Sequence, residues 1–338
     1  MILVTGGTGL VGSHLLFNLL TRGYRIRAIY RSKNKLDAVK DIFGLYSDQP
    51  GQYFEKIDWF ESDINDLPRL QLAMQGITQV YHCAAWISFN PKHFTRLKKI
   101  NIEGTANMVN LSLEHQVEKF CFVSSIASLG TTPDNTLITE ETHWNPEDDN
   151  SVYAISKYAA EMEVWRGTQE GLKAVIVNPA VILGNGFRGS GSGSLVRMAQ
   201  KGIKYYTPGG VAVVDVRDVV QAMIMLMESE ISDQRFILAG KNLYNKELFG
   251  MLAREFGVTP PSRAVARWKL SILRLLDWLS SKLFGSKRRL FRSTIKSLFS
   301  VAFYDGTKIE QKLPFTYTSI EDTVKWIGKT ALPKKAED

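Results

Sequence analysis

The sequence is poor in cysteine and histidine. Only two of its 338 residues are cysteines, and only five are histidines. Cys83 and Cys121 each lie inside an apolar run, so we expect two reduced core residues in a reducing cytoplasm, not a disulfide or a redox pair. His82 precedes Cys83 in the same strand pattern, which argues against a nucleophile or a metal ligand there. No metal site is expected.

The sequence also lacks a long apolar run. None approaches the roughly 20 residues that a membrane-spanning helix needs, and the opening "MILVTGG" starts a strand pattern with no basic leader before it. Hydrophobic residues form 44% of the chain and charged residues 22%, which is typical of a folded domain. We therefore expect a cytoplasmic protein with disorder only at the tail, residues 331–338.

Acidic residues are almost absent from one segment. Residues 263–299 hold ten lysines and arginines against one acid, Asp277, so the rest of the chain is nearly neutral despite a net charge of +8. The segment contains no recognisable nucleic-acid-binding motif beside this charge, so nucleic acid is not an expected partner. An apolar stripe runs along the segment at helical spacing: Trp268, Ile272, Leu275, Leu279 and Leu283. The segment is either a helical lid with a solvated basic face or an interfacial helix on an anionic membrane.

Short apolar runs alternate with helical patterns over the first two thirds of the chain. Runs such as "ILVTG", "QVYHCAA" and "KAVIVNP" predict buried strands. The alternation predicts an α/β fold with a Rossmann-type, doubly wound parallel sheet that binds ligands at the carboxyl ends of its strands. We expect a dinucleotide-binding domain over 1–180, with some later segments packing back onto it. A smaller, mostly helical substrate lobe is expected over 181–330.

Two glycine-rich segments lie in this pattern. "VTGGTGLVGSHL" follows the first strand and opens a helix, which is the context in which glycines let a backbone approach a pyrophosphate. We expect the cofactor to contact the following residues of this loop: Gly6, Thr8, Gly9, Leu10, Val11 and Gly12. The second segment, 184–194, is either a flexible connection or a loop that closes over cofactor and substrate.

The end of the second predicted strand indicates which dinucleotide is bound. An acid there would hold a ribose 2′-hydroxyl, whereas a cation would hold a 2′-phosphate. The segment reads "AIYRSKNK", with Tyr30 in the place of the acid and Arg31 after it. A guanidinium can bind the phosphate through paired hydrogen bonds. The sequence therefore favours NADP over NAD, although a solvated basic turn remains the alternative.

Tyr-x-x-x-Lys occurs twice, at Tyr153/Lys157 and at Tyr304/Lys308. Only the first opens a helix after a strand that ends in serine, Ser125, so the second is interpreted as a surface turn. Residues four apart share a helix face, which places the Lys157 ammonium near the Tyr153 phenol. A charge about 4 Å away is worth about 4 kcal/mol at an effective dielectric constant near 20. We therefore expect Lys157 to lower the pKa of Tyr153 toward neutrality.

These features together resemble the extended short-chain dehydrogenase/reductase family, which includes the NAD-dependent epimerases and dehydratases. Eight motifs match in order: "TGGTGLVG", "SDINDL", "HCAA", "NIEGT", "SSIAS", "YAISK", "NPAVILG" and "VDVRDV". The resemblance implies further cofactor contacts from Asp63, Ile64, Cys83, Ala84, Ala85, Tyr153, Lys157, Pro179 and Ile182. It implies a catalytic set of Ser125, Tyr153, Lys157 and Asn101, with Ser124 as the alternative serine and Asn101 organising the active-site helix.

Within that family the chain most resembles the dihydroflavonol-reductase and 3β-hydroxysteroid-dehydrogenase branch. Sugar-nucleotide enzymes typically carry an arginine that binds the diphosphate, and that position aligns with Val211 here. Trp86 and Phe89 lie just past the cofactor motif and suit an apolar or aromatic substrate, although such residues often serve packing alone. A homodimer is a further expectation.

The resemblance thus implies an NADP(H)-dependent oxidoreductase of a carbonyl or a secondary alcohol. A nucleotide-sugar epimerase or dehydratase is one alternative. The other is a non-enzymatic NADP sensor, which could dispense with Tyr153 and Lys157.

Overall fold

The computed structural model describes residues 1–132, 136–186, 193–284 and 290–330. Most of the glycine-serine loop at 184–194, part of the basic segment (285–289) and the tail at 331–338 lie outside the described residues. None of the described helices is both long and apolar enough to cross a bilayer.

The strands are β1 (Ile2–Thr5), β2 (Ile26–Tyr30), β3 (Asp58–Glu61), β4 (Gln79–His82), β5 (Lys119–Val123), β6 (Ala174–Pro179), β7 (Val181–Leu183), β8 (Tyr205–Tyr206), β9 (Gly210–Asp215), β10 (Gln234–Leu238), β11 (Lys241–Tyr244) and β12 (Arg263–Ala264). The helices are α1 (Leu10–Thr21), α2 (Leu36–Phe43), α3 (Pro50–Phe54), α4 (Leu67–Ala73), α5 (Phe94–Leu97), α6 (Gly104–Glu114), α7 (Val152–Gln169), α8 (Gly193–Gln200), α9 (Val216–Glu228), α10 (Asn245–Glu255), α11 (Arg267–Phe284), α12 (Arg292–Phe299), α13 (Lys308–Lys312) and α14 (Ile320–Lys329).

Seven strands form one parallel sheet in the order β10-β6-β5-β4-β1-β2-β3. The strand order reverses direction between β1 and β4, which pair from Ile2 with Gln79 to Thr5 with His82. In such sheets the crevice at the carboxyl ends of these two strands is where ligands bind. The expected Rossmann-type, doubly wound sheet is confirmed.

Helices cover both faces of this sheet, because its strands are apolar on both sides. On β1, Ile2 and Val4 face the cluster that contains α1 and α9, while Leu3 faces the cluster that contains α4, α6 and α7. Cys121 is fully buried and both cysteines are free thiols, as expected from their apolar surroundings. Burial on both faces is the reason that the strands read as nearly continuous apolar runs.

Residues 181–330 contribute to two layers. β7, β9 and β11 form a separate three-stranded sheet over a smaller core with α8, α10 and α14. β10 instead pairs with β6 at the edge of the large sheet, and α9 packs against α1 in its core. The later segments therefore pack back onto the first domain more extensively than a boundary near residue 180 suggests.

Gly12→Ala tests the tight turn between β1 and α1. A methyl group at Gly12 would overlap the backbone of Gly6 and Gly7, so we expect the free energy of unfolding to fall by about 1–3 kcal/mol. Helix propensity alone would favour alanine by about 1 kcal/mol. A lower free energy of unfolding in this variant would therefore be due to the steric clash. Gly51→Ala in α3 is the control, since its added carbon meets nothing within 4 Å. Urea denaturation that ranks both variants equally would contradict this account.

Candidate active site

The predicted site residues converge at the carboxyl edge of the large sheet. Gly6 follows β1, Asp63 follows β3, Ala84 follows β4, Ser125 follows β5 and Pro179 ends β6. Parallel strands bring all of these positions to one edge, so the fold assembles a single crevice from residues far apart in sequence.

The glycine loop has the geometry that a dinucleotide requires. Gly6 has a φ of +68°, and an added Cβ would lie 2.6 Å from the Ala84 nitrogen, so only glycine fits between the ends of β1 and β4. Gly9 is the N-cap of α1, and no side chain of the described residues caps this helix. The first-turn amides of α1 can therefore face an anion, and the loop fits a bound pyrophosphate.

Arg31 lies at the end of β2 and forms an ion pair with Asp63, at 3.2 Å between Nη1 and Oδ2. About half of its side chain is exposed. Partial burial by itself would raise the pKa of Asp63. Hydrogen bonds from the Asn65 backbone and from Arg31 have the larger combined effect, and they hold this pKa below its ordinary value. The pair fixes a guanidinium beside the position predicted for the adenosine ribose. Ile64, by contrast, is buried against Gly104 of α6.

The two serines after β5 have different surroundings. Ser124 is buried, and its hydroxyl donates to Glu161 Oε2 at 2.6 Å. Ser125 caps the 3₁₀ turn Ile126–Ser128, where its Oγ accepts from the Ala127 amide at 3.1 Å. It also interacts with the Tyr153 hydroxyl, which lowers the pKa of that phenol. The structure therefore favours Ser125 over Ser124 as the serine beside the tyrosine.

Tyr153 lies in the first turn of α7, which Ser151 caps through the Ala154 amide. Burial raises the pKa of Tyr153 to about 12, and the hydrogen bond with Ser125 offsets only part of this. The Phe89 ring meets the Tyr153 ring edge-on, with centroids 5.6 Å apart. At neutral pH the phenol is therefore protonated and has an aromatic neighbour.

Lys157 is buried one turn further along α7. Its Nζ donates to the Val123 carbonyl oxygen at 2.8 Å and lies 4.4 Å from the centre of the Phe122 ring. Burial lowers the pKa of Lys157 to about 8, and the negative charge of Glu161 offsets only part of this shift. The expectation that Lys157 would draw the pKa of Tyr153 toward neutrality is wrong for this structure, because desolvation dominates at the phenol.

Asn101 lies in the π-helical stretch Lys98–Glu103 that joins α5 to α6. Its amide accepts from the Trp86 nitrogen at 2.8 Å, and donates to the Trp86 oxygen and to Ser156 Oγ, both at 3.0 Å. It therefore joins the segment after β4 to α7. The Arg96 guanidinium lies 4.4 Å from the centre of the Trp86 ring, and Phe89 is the more exposed of the two aromatic side chains.

Neither His82 nor Cys83 is suited to act as a base or a nucleophile. The His82 ring nitrogens hydrogen-bond Thr5 Oγ1 at 2.6 Å and Thr105 Oγ1 at 3.0 Å, and burial lowers its pKa to about 3. Burial also raises the pKa of Cys83 to about 12, which makes a thiolate unfavourable. Among the described residues there is no group of histidine, cysteine and carboxylate side chains arranged to hold a metal ion.

Sequence reasoning missed Glu161, which lies one turn after Lys157 on α7. This carboxylate is fully buried, and its Oε2 accepts from Ser124 at 2.6 Å, Ser128 at 2.7 Å and Asn178 at 2.8 Å. Its Oε1 pairs with Arg235 of β10 at 3.2 Å. The only sequence signal was an acid at the buried spacing in "KYAAE", which does not identify its partners on three strands.

A pocket of about 250 Å³ adjoins Tyr153. Its lining includes Phe89, Ser151 and Val152 on one side, and Arg274 of α11 and Phe291 on the other. A larger cleft of about 570 Å³ lies beside β10, between Trp144 and Lys308. Neither cavity is lined by Ser125 or Tyr153, but the smaller one is lined by Ser151 and Val152, directly before Tyr153, and by Phe89, whose ring contacts that tyrosine. The smaller pocket is therefore the candidate substrate site.

The second Tyr-x-x-x-Lys pair is not the surface turn expected from the sequence. Tyr304 is partly buried and pairs with Ile138 in an isolated bridge, and burial raises its pKa to about 12. Lys308 donates to the Arg235 carbonyl oxygen at 3.0 Å. Both residues therefore make structural contacts.

The sheet is doubly wound, and its glycine loop leads into a helix that no described side chain caps. A serine, a tyrosine and a lysine lie at the same edge of the sheet. This combination defines an NAD(P)-dependent enzyme. The chain belongs to the NAD dependent epimerase/dehydratase family, whose model matches residues 2–239. This confirms the family resemblance seen in the motifs.

Several relatives cover most of the chain. A protein of Synechocystis named provisionally as a dihydroflavonol 4-reductase is 27% identical over 96% of this chain and 93% of its own length. Cinnamoyl-CoA reductase 1 of Oryza sativa is 28% identical over 76% of each chain. The UDP-glucose 4-epimerase of Thermotoga maritima has a TM-score of 0.74 at 22% identity and 98% coverage of both chains, which shows a shared fold.

Glu161→Leu tests the buried carboxylate. It removes the charged acceptor shared by Arg235, Asn178 and two serine hydroxyls and leaves the partly buried Arg235 guanidinium without its counter-ion, so we expect the free energy of unfolding to fall by about 3–5 kcal/mol. Glu163→Leu on the same helix removes only a partly exposed ion pair with Arg166 and should cost less than about 1 kcal/mol. Urea denaturation measures both. A Glu161 variant as stable as the control would show that the network contributes little.

Proposed function

We propose that this chain is an NADP(H)-dependent oxidoreductase, of the extended short-chain dehydrogenase/reductase type, for the carbonyl or secondary alcohol of an apolar or aromatic small molecule. The observation that carries the proposal is the pairing of the Ser125 and Tyr153 hydroxyls beside a pocket containing Phe89 and Phe291. Two hydroxyl groups at that position can both bind the same carbonyl oxygen. With two free cysteines, we infer a cytoplasmic location.

The protonation states favour the direction of carbonyl reduction. Because the pKa of Tyr153 is about 12, its phenol carries a proton at neutral pH and can donate it to an oxygen that gains negative charge. Ser125 would hold the same oxygen. Lys157, with a pKa of about 8, remains largely protonated at neutral pH, and its ammonium lies one helical turn from Tyr153 on the Val123 oxygen. A bound nicotinamide would supply or accept the hydride.

The choice of NADP rests on Arg31. No acid stands at the end of β2, where Tyr30 is followed by this arginine, and the Asp63 ion pair holds the guanidinium at the crevice edge. A 2′-phosphate at that place would accept charge-assisted hydrogen bonds from Arg31. The dihydroflavonol and cinnamoyl-CoA reductase relatives support a reductase of an aromatic or apolar substrate.

A nucleotide-sugar epimerase or dehydratase is the second candidate, and the family model and the fold shared with a UDP-glucose epimerase favour it. Against it stands Val211, a partly buried residue in the smaller core at the position where such enzymes carry an arginine for the diphosphate. Detection by ultraviolet absorbance of a sugar nucleotide that copurifies with the protein would favour this second candidate.

Tyr153→Phe removes the proton donor and keeps the ring contact with Phe89. We expect NADPH-dependent reduction of an aromatic aldehyde to fall by about 10²–10⁴-fold, with the dissociation constant for NADPH unchanged. Tyr158→Phe is the control, because this tyrosine on the same helix stacks on Trp144 outside the pocket. Full activity in the Tyr153 variant would refute the assigned role.

Arg31→Ala tests the cofactor choice. Hydrogen bonds to charged groups contribute about 1.5–3 kcal/mol, so NADPH binding should weaken about ten- to a hundredfold while NADH binding changes little. Arg22→Ala is the matched control, since Arg22 forms an exposed ion pair with Glu228 away from the crevice. Fluorescence titration measures both cofactors. Tighter binding of NADH than of NADPH by the unaltered protein would contradict the proposal.

A further inference from the structure

Helix α11 presents its apolar side to solvent. Six of its residues form what we call the α11 stripe, and each has between 38% and 72% of its surface exposed: Trp268, Ile272, Leu275, Leu276, Leu279 and Leu283. Leu273 and Trp278, both exposed, widen it. On an ordinary surface helix the apolar side faces the core. A contiguous exposed apolar surface of this kind marks an interaction site.

The opposite side of α11 is the more polar one. Leu270, Arg274, Asp277 and Ser281 are spaced along that side and are partly buried. Asp277 accepts from the Leu290 amide at 3.1 Å, and Arg274 lines the pocket beside Tyr153. These contacts define which side of the helix faces the protein. The exposure of the α11 stripe therefore follows from how the helix is attached.

Cations border the stripe on both sides. Lys269 and Lys282 are exposed, and each ammonium lies over a tryptophan of the helix, at 5.5 Å from the Trp268 ring centre and 5.3 Å from that of Trp278. Arg292 and Lys296 of the neighbouring α12 are also exposed. The single acid of residues 263–299, Asp277, lies on the protein-facing side. Long lysine side chains can bury their stems beside apolar surface and keep the charge in water.

We propose that α11 is an interfacial helix that docks this protein on an anionic membrane surface. The helix has 18 residues and lies along the surface, with an apolar side for the acyl region and flanking cations for the headgroups. A second copy of the chain is the less favourable occupant, because two facing stripes would bring two sets of lysines together.

The docked orientation gives the candidate pocket a route to the lipid. Arg274 belongs to the inner side of α11, and the same pocket reaches Phe89 and so the Tyr153 ring. Phe291, the N-cap of α12, and Arg292, its first residue, add to the lining. The last turn of α12 is anchored just before β9, where the Gly209 amide donates to the Leu298 oxygen at 3.2 Å. An apolar substrate dissolved in the bilayer would enter beside α11. This part of the inference rests on the proposed function.

Cosedimentation of the full chain with vesicles tests the docking. We expect binding to vesicles of phosphatidylcholine mixed with phosphatidylglycerol, weaker binding at high salt, and little binding to phosphatidylcholine alone. The double variant Leu275→Glu/Leu279→Glu should lose binding. Leu72→Glu, at an equally exposed leucine of α4, is its control and should bind as the unaltered protein does.

Charge is tested separately. Lys269→Gln/Lys282→Gln should weaken binding about fivefold for each charge removed, whereas Lys56→Gln/Lys201→Gln, two exposed lysines elsewhere, should leave it unchanged. Failure of the unaltered protein to sediment with the anionic vesicles would overturn the proposal. A second outcome would also overturn it: the unaltered protein does not bind vesicles, sediments as a dimer in sedimentation velocity, and becomes a monomer in the Leu275→Glu/Leu279→Glu variant.

The docking and the proposed function fail in different measurements. NADPH-dependent turnover of a water-soluble aromatic aldehyde should be unaffected by Leu275→Glu/Leu279→Glu, since neither side chain lines the pocket. Vesicle binding without any turnover would count against the oxidoreductase and support the docking. Turnover without vesicle binding would support the oxidoreductase and overturn the docking.

Discussion

The buried carboxylate of Glu161 is the contact on which the arrangement of the candidate active site depends. Three side-chain donors from the ends of β5 and β6 meet one of its oxygens, and Arg235 of β10 meets the other. A charge inside a protein is tolerated only when it is paired and hydrogen-bonded, so these groups constrain each other. Because Glu161 is part of α7, the same contacts fix that helix against the sheet. Tyr153 and Lys157 are placed by this helix, and Asn178, which also donates to the Ser125 oxygen, links the serine turn to it.

That arrangement explains the protonation states at the edge. α7 lies close enough to β5 to bury Lys157 against the Val123 oxygen, and burial lowers the pKa of the ammonium while it raises that of the Tyr153 phenol. Both shifts come from desolvation, which disfavours whichever form is charged. The π-helical stretch at Asn101 adds a second attachment on the other side of α7, through Ser156. The helix that bears the tyrosine is thus held from two directions by polar contacts.

Helix α11 follows a different physical rule from the rest of the described fold. In the large sheet, apolar side chains face inward and polar contacts lie at the carboxyl edge, whereas α11 turns polar residues toward the protein and its stripe outward. The polar inner side of α11 borders the candidate substrate pocket, where Arg274 is one of the lining residues. The apolar outer side would be unfavourable in water alone, at about 25 cal/mol for each Å² left exposed, and the proposed docking on a lipid surface would offset this cost.

The sequence by itself determined the sheet, the glycine loop and the identity of the central serine, tyrosine and lysine, because nearly continuous apolar runs, glycine at a strand–helix junction and i,i+4 spacing are local signals. It also located the apolar stripe and the charge of α11. It failed where the answer depended on residues that meet only after folding. Glu161 meets Asn178 and Arg235 from two strands. Tyr304 pairs with the distant Ile138, and the pKa of Tyr153 depends on how deeply its surroundings exclude water. Spacing along a helix sets which groups are near each other, but only the tertiary structure decides whether desolvation or charge controls their protons.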